Sequence, residues 1–282
     1  MKFSTTSVLL AAALGVSAHP SGHAHKRAHN SAVEARGDFV MANKPADAPT
    51  TTSAGPVATT TAAAPASSST GSATVKPFCS GNSKRATQAE IAYKGNVGAG
   101  TYGCNIMTID ESLIDEYQYT VLFKNAGADT TCFCWNKIGP DGGINGFFKG
   151  NQAITFDVPA GGSQPIAVDT NSQIGCACGP NGPPLTTIGQ FAGTWFEGDF
   201  GNMSNGGWSG ADASSLVAAA AGMTIPGLKV CGTGSTAGTC SIIYPGGKGD
   251  NAFTAGTEAL DGLGLNIAPG KTSLVVTIDY QG

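Results

Sequence analysis

The sequence predicts an all-β, disulfide-stabilised β-sandwich with one short helix near 213–221, and three observations carry that expectation. Glycine fills 41 of 282 positions and only 12% of residues are charged. An average soluble protein holds about 7% glycine and about a quarter charged residues, so turns are frequent here and long solvated helices are few. Short runs of β-branched and aromatic residues recur between Gly/Pro clusters, the pattern of strands separated by turns. Eight cysteines, Cys79, Cys104, Cys132, Cys134, Cys176, Cys178, Cys231 and Cys240, all follow a polar linker in a chain that opens like an exported one. The low charge also excludes a coiled coil. A net charge of −4 offers no attraction to nucleic acid or an anionic membrane, so neither is expected as a partner.

In chain order, residues 1–18 read as a secretory signal. Lys2 supplies its positive start, Val8 to Val16 its apolar run, and Val16, Ser17 and Ala18 the small residues before a cut. That run is shorter than the roughly 20 residues needed to span a bilayer. The final residues lack the long apolar tail of a lipid-anchor signal. The expectation is a soluble secreted protein, extracellular or cell-wall associated. Residues 19–41 form an N-terminal tail or pro-region, with the dibasic pair Lys26-Arg27 and all four histidines, at 19, 23, 25 and 29. Residues 42–77 are a Ser/Thr/Ala/Pro-rich linker, with 13 Ser or Thr between positions 50 and 74. Such a stretch has too little apolar surface to offset its chain entropy and suits an O-glycosylated stalk. The folded unit is then 78–282, where nine Lys or Arg face sixteen Asp or Glu, a net of −7.

Within that unit the clearest strands are 117–124, 153–158 and 272–280, with shorter candidates at 131–137, 166–169, 193–200, 228–231 and 240–244. Turn clusters stand between them at 139–143, 159–162 and 180–184. For the helix, Asp212 fits the N-cap, residues 214–221 are helix formers, and Gly222 fits the position after the last turn. In an exported domain the eight cysteines are expected to form disulfides. Four bridges allow 105 pairings, and only Cys231 with Cys240, flanking a short loop, suggests a local one. Each Cys-x-Cys element (132/134 and 176/178) puts both sulfurs on one face of a strand. A tetrathiolate metal site is the rival reading. An oxidising compartment without nearby histidine favours bridges, so no metal or cofactor is expected.

The chemistry narrows further. With no histidine after position 29, the domain holds neither a Ser-His-Asp nor a Cys-His system, and no histidine-bound zinc. No phosphate-binding glycine loop is present in the right strand–helix context. Carboxylate and carbohydrate chemistry remain. If 195–200 is a strand, Phe196 and Phe200 face the core while Trp195, Glu197 and Asp199 share the opposite face. Carboxylates two residues apart lie about 6.6 Å apart along a strand, near the roughly 6.5 Å lower bound of an inverting glycosidase pair. Two readings compete: an outward-facing sugar site, or a half-exposed strand with its tryptophan packed under a loop. A glycine-rich loop follows, carrying Asn202, Asn205 and Trp208, residue types suited to polyhydroxyl recognition. Asn202-Met203-Ser204 is also an N-glycosylation sequon. Asp110, Glu111, Asp115 and Glu116 form a second acidic cluster, read as a solvated charge run rather than a calcium site.

The run GTWFEGDFGNMSNGGWSGADASSLVAAAAGMTIPGLKVCG, with CWNKIGPDG and ITFDVPAGGSQPIAVD, resembles the fungal secreted allergen family typified by Asp f 4, over roughly residues 90–240. The resemblance implies an extracellular protein recognised by IgE of allergic hosts; it carries over no catalytic residue. A weaker, fold-level likeness is to thaumatin-like β-sandwiches. It rests on Val158-Pro159-Ala160-Gly161 and on Asp212, Ser214, Leu216, Val217, Ile225 and Pro226. It implies an acidic cleft that in some members meets β-1,3-glucan. The sequence alone therefore favours a non-catalytic binder of cell-wall or surface glycans through Trp195, Glu197, Asp199, Asn205 and Trp208. The rivals are a β-glucan hydrolase using Glu197 and Asp199, and a secreted effector that binds protein.

Overall fold

The computed structural model describes residues 73–79, 95–98 and 100–282. The expected signal, the tail and nearly all of the linker lie outside these residues. Thirteen strands follow in chain order among them: β1 (Ile106–Thr108), β2 (Tyr119–Asn125), β3 (Thr130–Asn136), β4 (Ile154–Val158), β5 (Ser163–Val168), β6 (Ser172–Gly179), β7 (Trp195–Asn202), β8 (Trp208–Ser214), β9 (Leu228–Gly232), β10 (Cys240–Ile243), β11 (Gly249–Asp250), β12 (Leu265–Ile267) and β13 (Thr272–Ile278). They form two sheets. One runs β1-β5-β2-β13-β9-β10-β11, the other β12-β8-β7-β6-β3-β4. Pairing is antiparallel except between β13 and β2, which run parallel over seven residue pairs from Thr272–Tyr119 to Ile278–Asn125.

The sheets face each other because alternate residues on each are apolar. Val121, Phe123, Ile166, Val230, Leu274 and Val276 from one sheet meet Phe156, Ile174, Phe196, Phe200 and Leu265 from the other in a single buried core. Phe123 sits edge-on to both Phe156 (5.3 Å) and Phe196 (5.9 Å), tying the layers together. All eight cysteines are bridged: Cys79–Cys104, Cys132–Cys178, Cys134–Cys176 and Cys231–Cys240. The Cys-x-Cys elements thus pair with each other across β3 and β6, in the register Cys132–Cys178 and Cys134–Cys176.

One expectation is overturned. The glycine-rich stretch after β7 is largely strand β8, and Asp212 lies within it with no exposed surface. It does not cap the helix. The helix, α1, is Leu216–Ala220, shorter than 213–221, and its N-cap is Ser215. Glycine and alanine depress strand propensity locally, but pairing outweighs it. β8 is held by β7 on one side and β12 on the other, and Ala211 and Ala213 are small enough to pack in the core.

Candidate functional site

β7 places Phe196 and Phe200 in the core and turns Trp195, Glu197 and Asp199 to the outer face of the six-stranded sheet, as alternation requires. The register builds three rows across that face. Phe133, Ala177, Trp195 and Ser214 form the first. Trp135, Gly175, Glu197 and Asp212 form the second. The third runs through Gln173, Asp199 and Gly210, with Lys137 held beside Gln173 by its backbone N–H to the Gln173 carbonyl, 2.9 Å. Gly175 is required where it stands: a Cβ there would come within 2.7 Å of the Trp135 indole, which lies over the β6 backbone at that point.

The outward face is not open to solvent, which corrects the expectation of an exposed sugar platform. Trp195 is 7% exposed, Glu197 3%, Asp199 2% and Asp212 0%. A second, smaller hydrophobic cluster covers this side, built from Trp135, Phe147, Phe191, Trp195 and Val217. The Trp195 indole N–H donates to the Phe191 carbonyl (3.2 Å), and its ring meets Trp135 edge-on at 5.1 Å and Phe147 at 5.6 Å. Its stacking faces are used by protein. Period-two patterning shows which side of a strand a residue takes, and the segments around 139–150 and 180–194 turned that side into an interior.

Beneath this cover sits a buried group of ionisable side chains: Lys137 (4% exposed), Glu197, Asp199 and Asp212. Burial pushes the Asp199 carboxyl up to about 7; the Asn202 amide, the Lys137 charge and the Gln173 amide each pull it partly back. Asp199 Oδ2 accepts a hydrogen bond from Asn202 Nδ2, while its Oδ1 is buried with none closing on it among the described residues. Sequence reasoning missed Lys137 and Trp135 and gave Asp212 another task. Position was the available signal: Thr131, Phe133 and Trp135 alternate along β3 with Lys137 one residue beyond its end, and the bridged Cys-x-Cys pairs fix which β6 residue each of the three faces.

Asn202 performs two structural tasks that bear on its sequon. Its Oδ1 accepts from the backbone N–H groups of Ser204 (2.9 Å) and Asn205 (3.2 Å), capping a 3-10 turn over Met203–Asn205. Its Nδ2, the atom a glycan would occupy, faces Asp199 instead, and the residue is 6% exposed. Met203 N–H donates to Asn171 Oδ1 (2.8 Å), a second tie on the start of the turn. Of the predicted sugar-contact residues, only Asn205 and Trp208 retain part of their surface. The acidic cluster at 110–116 lies elsewhere, on a 3-10 turn where Lys271 pairs with Asp115 at 3.0 Å.

The family described as "Allergen Asp f 4-like domain" matches residues 104–278. "Allergen Asp f 4" of Aspergillus fumigatus (strain ATCC MYA-4609 / CBS 101355 / FGSC A1100 / Af293) is 40% identical over 195 residues, 68% of this chain and 59% of that protein. The chain therefore spans less than two thirds of that relative's length. Among solved structures, the protein elicitor MoHrip2 from Magnaporthe oryzae aligns with 57% of this chain and 99% of its own, at 9% identity and a TM-score of 0.32. A likeness that low carries no argument here.

Proposed function

The chain belongs to the Asp f 4-like allergen family, and from that premise we propose that this allergen-like protein acts outside the cell as a non-catalytic binder of cell-wall or surface glycans. The observation that carries the reading is the edge formed by Asn205 and Trp208. Both are part-exposed, and the turn before them is clamped by Asn202 and Asn171. An indole at the start of β8 and an amide on the fixed turn before it can stack on a pyranose face and bond its hydroxyls without ordering a mobile segment first. Asp199 then supports this edge through its hydrogen bond from Asn202, while Trp195 and Glu197 lie farther along β7 and are not contacts. IgE recognition is extended to this chain from the family: the exposed turns between strands are what an antibody would meet.

The test is a pull-down of the secreted protein on insoluble β-1,3-glucan, chitin and mannan, with released sugar assayed in the same tube. Binding without release, abolished by Trp208→Ala in a protein that still melts cooperatively, is the expected result. A hydrolase is the second reading; Glu197 and Asp199 would need the aromatic layer over them to open, and burial beneath it is what holds the Asp199 carboxyl near 7. Sugar release that disappears in Glu197→Gln would establish it. Neither binding nor release would remove both readings for these polymers and direct the search to protein partners.

A further inference from the structure

A cavity of about 230 Å³ opens at one end of the sandwich, between the sheets and away from the buried carboxylates. Phe123, Leu228 and Ile278 wall it from one sheet, and Cys176 and Phe196 from the other; all five are at most 5% exposed. The mouth carries two acids, Asp129 and Asp279, and no Lys, Arg or His is found among the described residues that line it. Asp129 is fixed by the Ala160 backbone N–H, which donates to its Oδ1 at 2.8 Å. Asp279 follows β13 directly and takes a left-handed backbone, φ 53°, a conformation that costs an aspartate about 1 kcal/mol or more. That backbone lays its carboxylate over Gly127, where any Cβ would come within 2.3 Å of Asp279 Oδ2. Partial burial there raises its affinity for a proton.

We propose that this cavity binds a short aliphatic primary amine, the chain seated between the sheets and the ammonium held at the mouth by Asp279 and Asp129. Size, wall and charge each narrow the class. A protein cavity of about 150 Å³ holds benzene, so the present one suits about nine heavy atoms. The wall of phenylalanine, leucine, isoleucine and disulfide sulfur accepts an unbranched hydrocarbon. The mouth offers acceptors and negative charge, which reject a fatty-acid carboxylate and favour a cationic donor.

Isothermal titration of the secreted protein with n-octylamine, 1-octanol and octanoate tests this. Octylamine is expected to bind at one saturable site, at least about tenfold tighter than octanoate. Asp279→Asn should fold, because asparagine accepts the left-handed backbone. It should weaken octylamine about tenfold or more while leaving octanol within about threefold. Ala128→Trp, at an exposed lining position, should block both ligands, with melting curves confirming the fold. No saturable octylamine binding, octanoate binding as tightly as octylamine, or binding indifferent to both substitutions would each overturn the proposal.

Discussion

Asp199 holds its proton to about 7 in the folded chain, against an ordinary 3.8. Between those values the native state keeps a proton that the unfolded chain has released, so stability falls as pH rises from about 4 to 7. The penalty is complete above 7 and absent below about 4. Urea unfolding should therefore give a free energy on the order of 4 kcal/mol lower at pH 8 than at pH 4. Asp199→Asn should flatten that dependence; an unchanged slope would assign it to another group. The two tryptophans separate as cleanly. Trp195→Ala empties a buried slot between Trp135 and Phe147 and should cost about 3–5 kcal/mol in urea unfolding. Trp208→Ala, at a part-exposed position, should cost under about 1.5 kcal/mol. Alternation in the sequence was enough to put Trp195, Glu197 and Asp199 on one face. It carried no information about the aromatic layer covering that face, because Phe147 and Phe191 arrive from distant loops.

The paired Cys-x-Cys elements weld β3 to β6 twice within three residues. Cys132–Cys178 and Cys134–Cys176 close nested loops, with sequence separations of 46 and 42. Once one bridge is closed, the other confines the unfolded chain very little further. A loop of this length is worth about 4 kcal/mol. Removing either bridge with paired alanines should therefore lose only a small part of that beyond the packing of the lost sulfurs, and removing both should lose nearly all of it. Additive losses in urea unfolding would show that this entropic account is wrong. The same elements explain what could be read ahead of the structure. Strands rich in valine, threonine and phenylalanine, such as β2, β4 and β13, announce themselves by residue type. β8 does not, because its alanines and glycines become strand only when β7 and β12 supply hydrogen-bond partners. β6 was marked only by its cysteines, and their partners across β3 set the register that positions Gly175 beneath Trp135.

The whole molecule is a sandwich with an extra aromatic layer on one outer face, so its ionisable cluster lies between two apolar clusters rather than in a groove. The seven-stranded sheet has its own weak point. β13 joins β2 on one side and β9 on the other, and without it that sheet falls into two separate pieces. Ending the chain at Lys271 should abolish cooperative thermal unfolding, although it removes only the last 11 of 282 residues. The position of β13 also imposes a timetable. The six-stranded sheet and its two nested bridges need no residue beyond Ile267. The other sheet must wait for its central strand, which is synthesised after every strand that surrounds it. Until β13 docks, β2 and β9 present open edges, and any chaperone that guards the folding chain has those edges to shield.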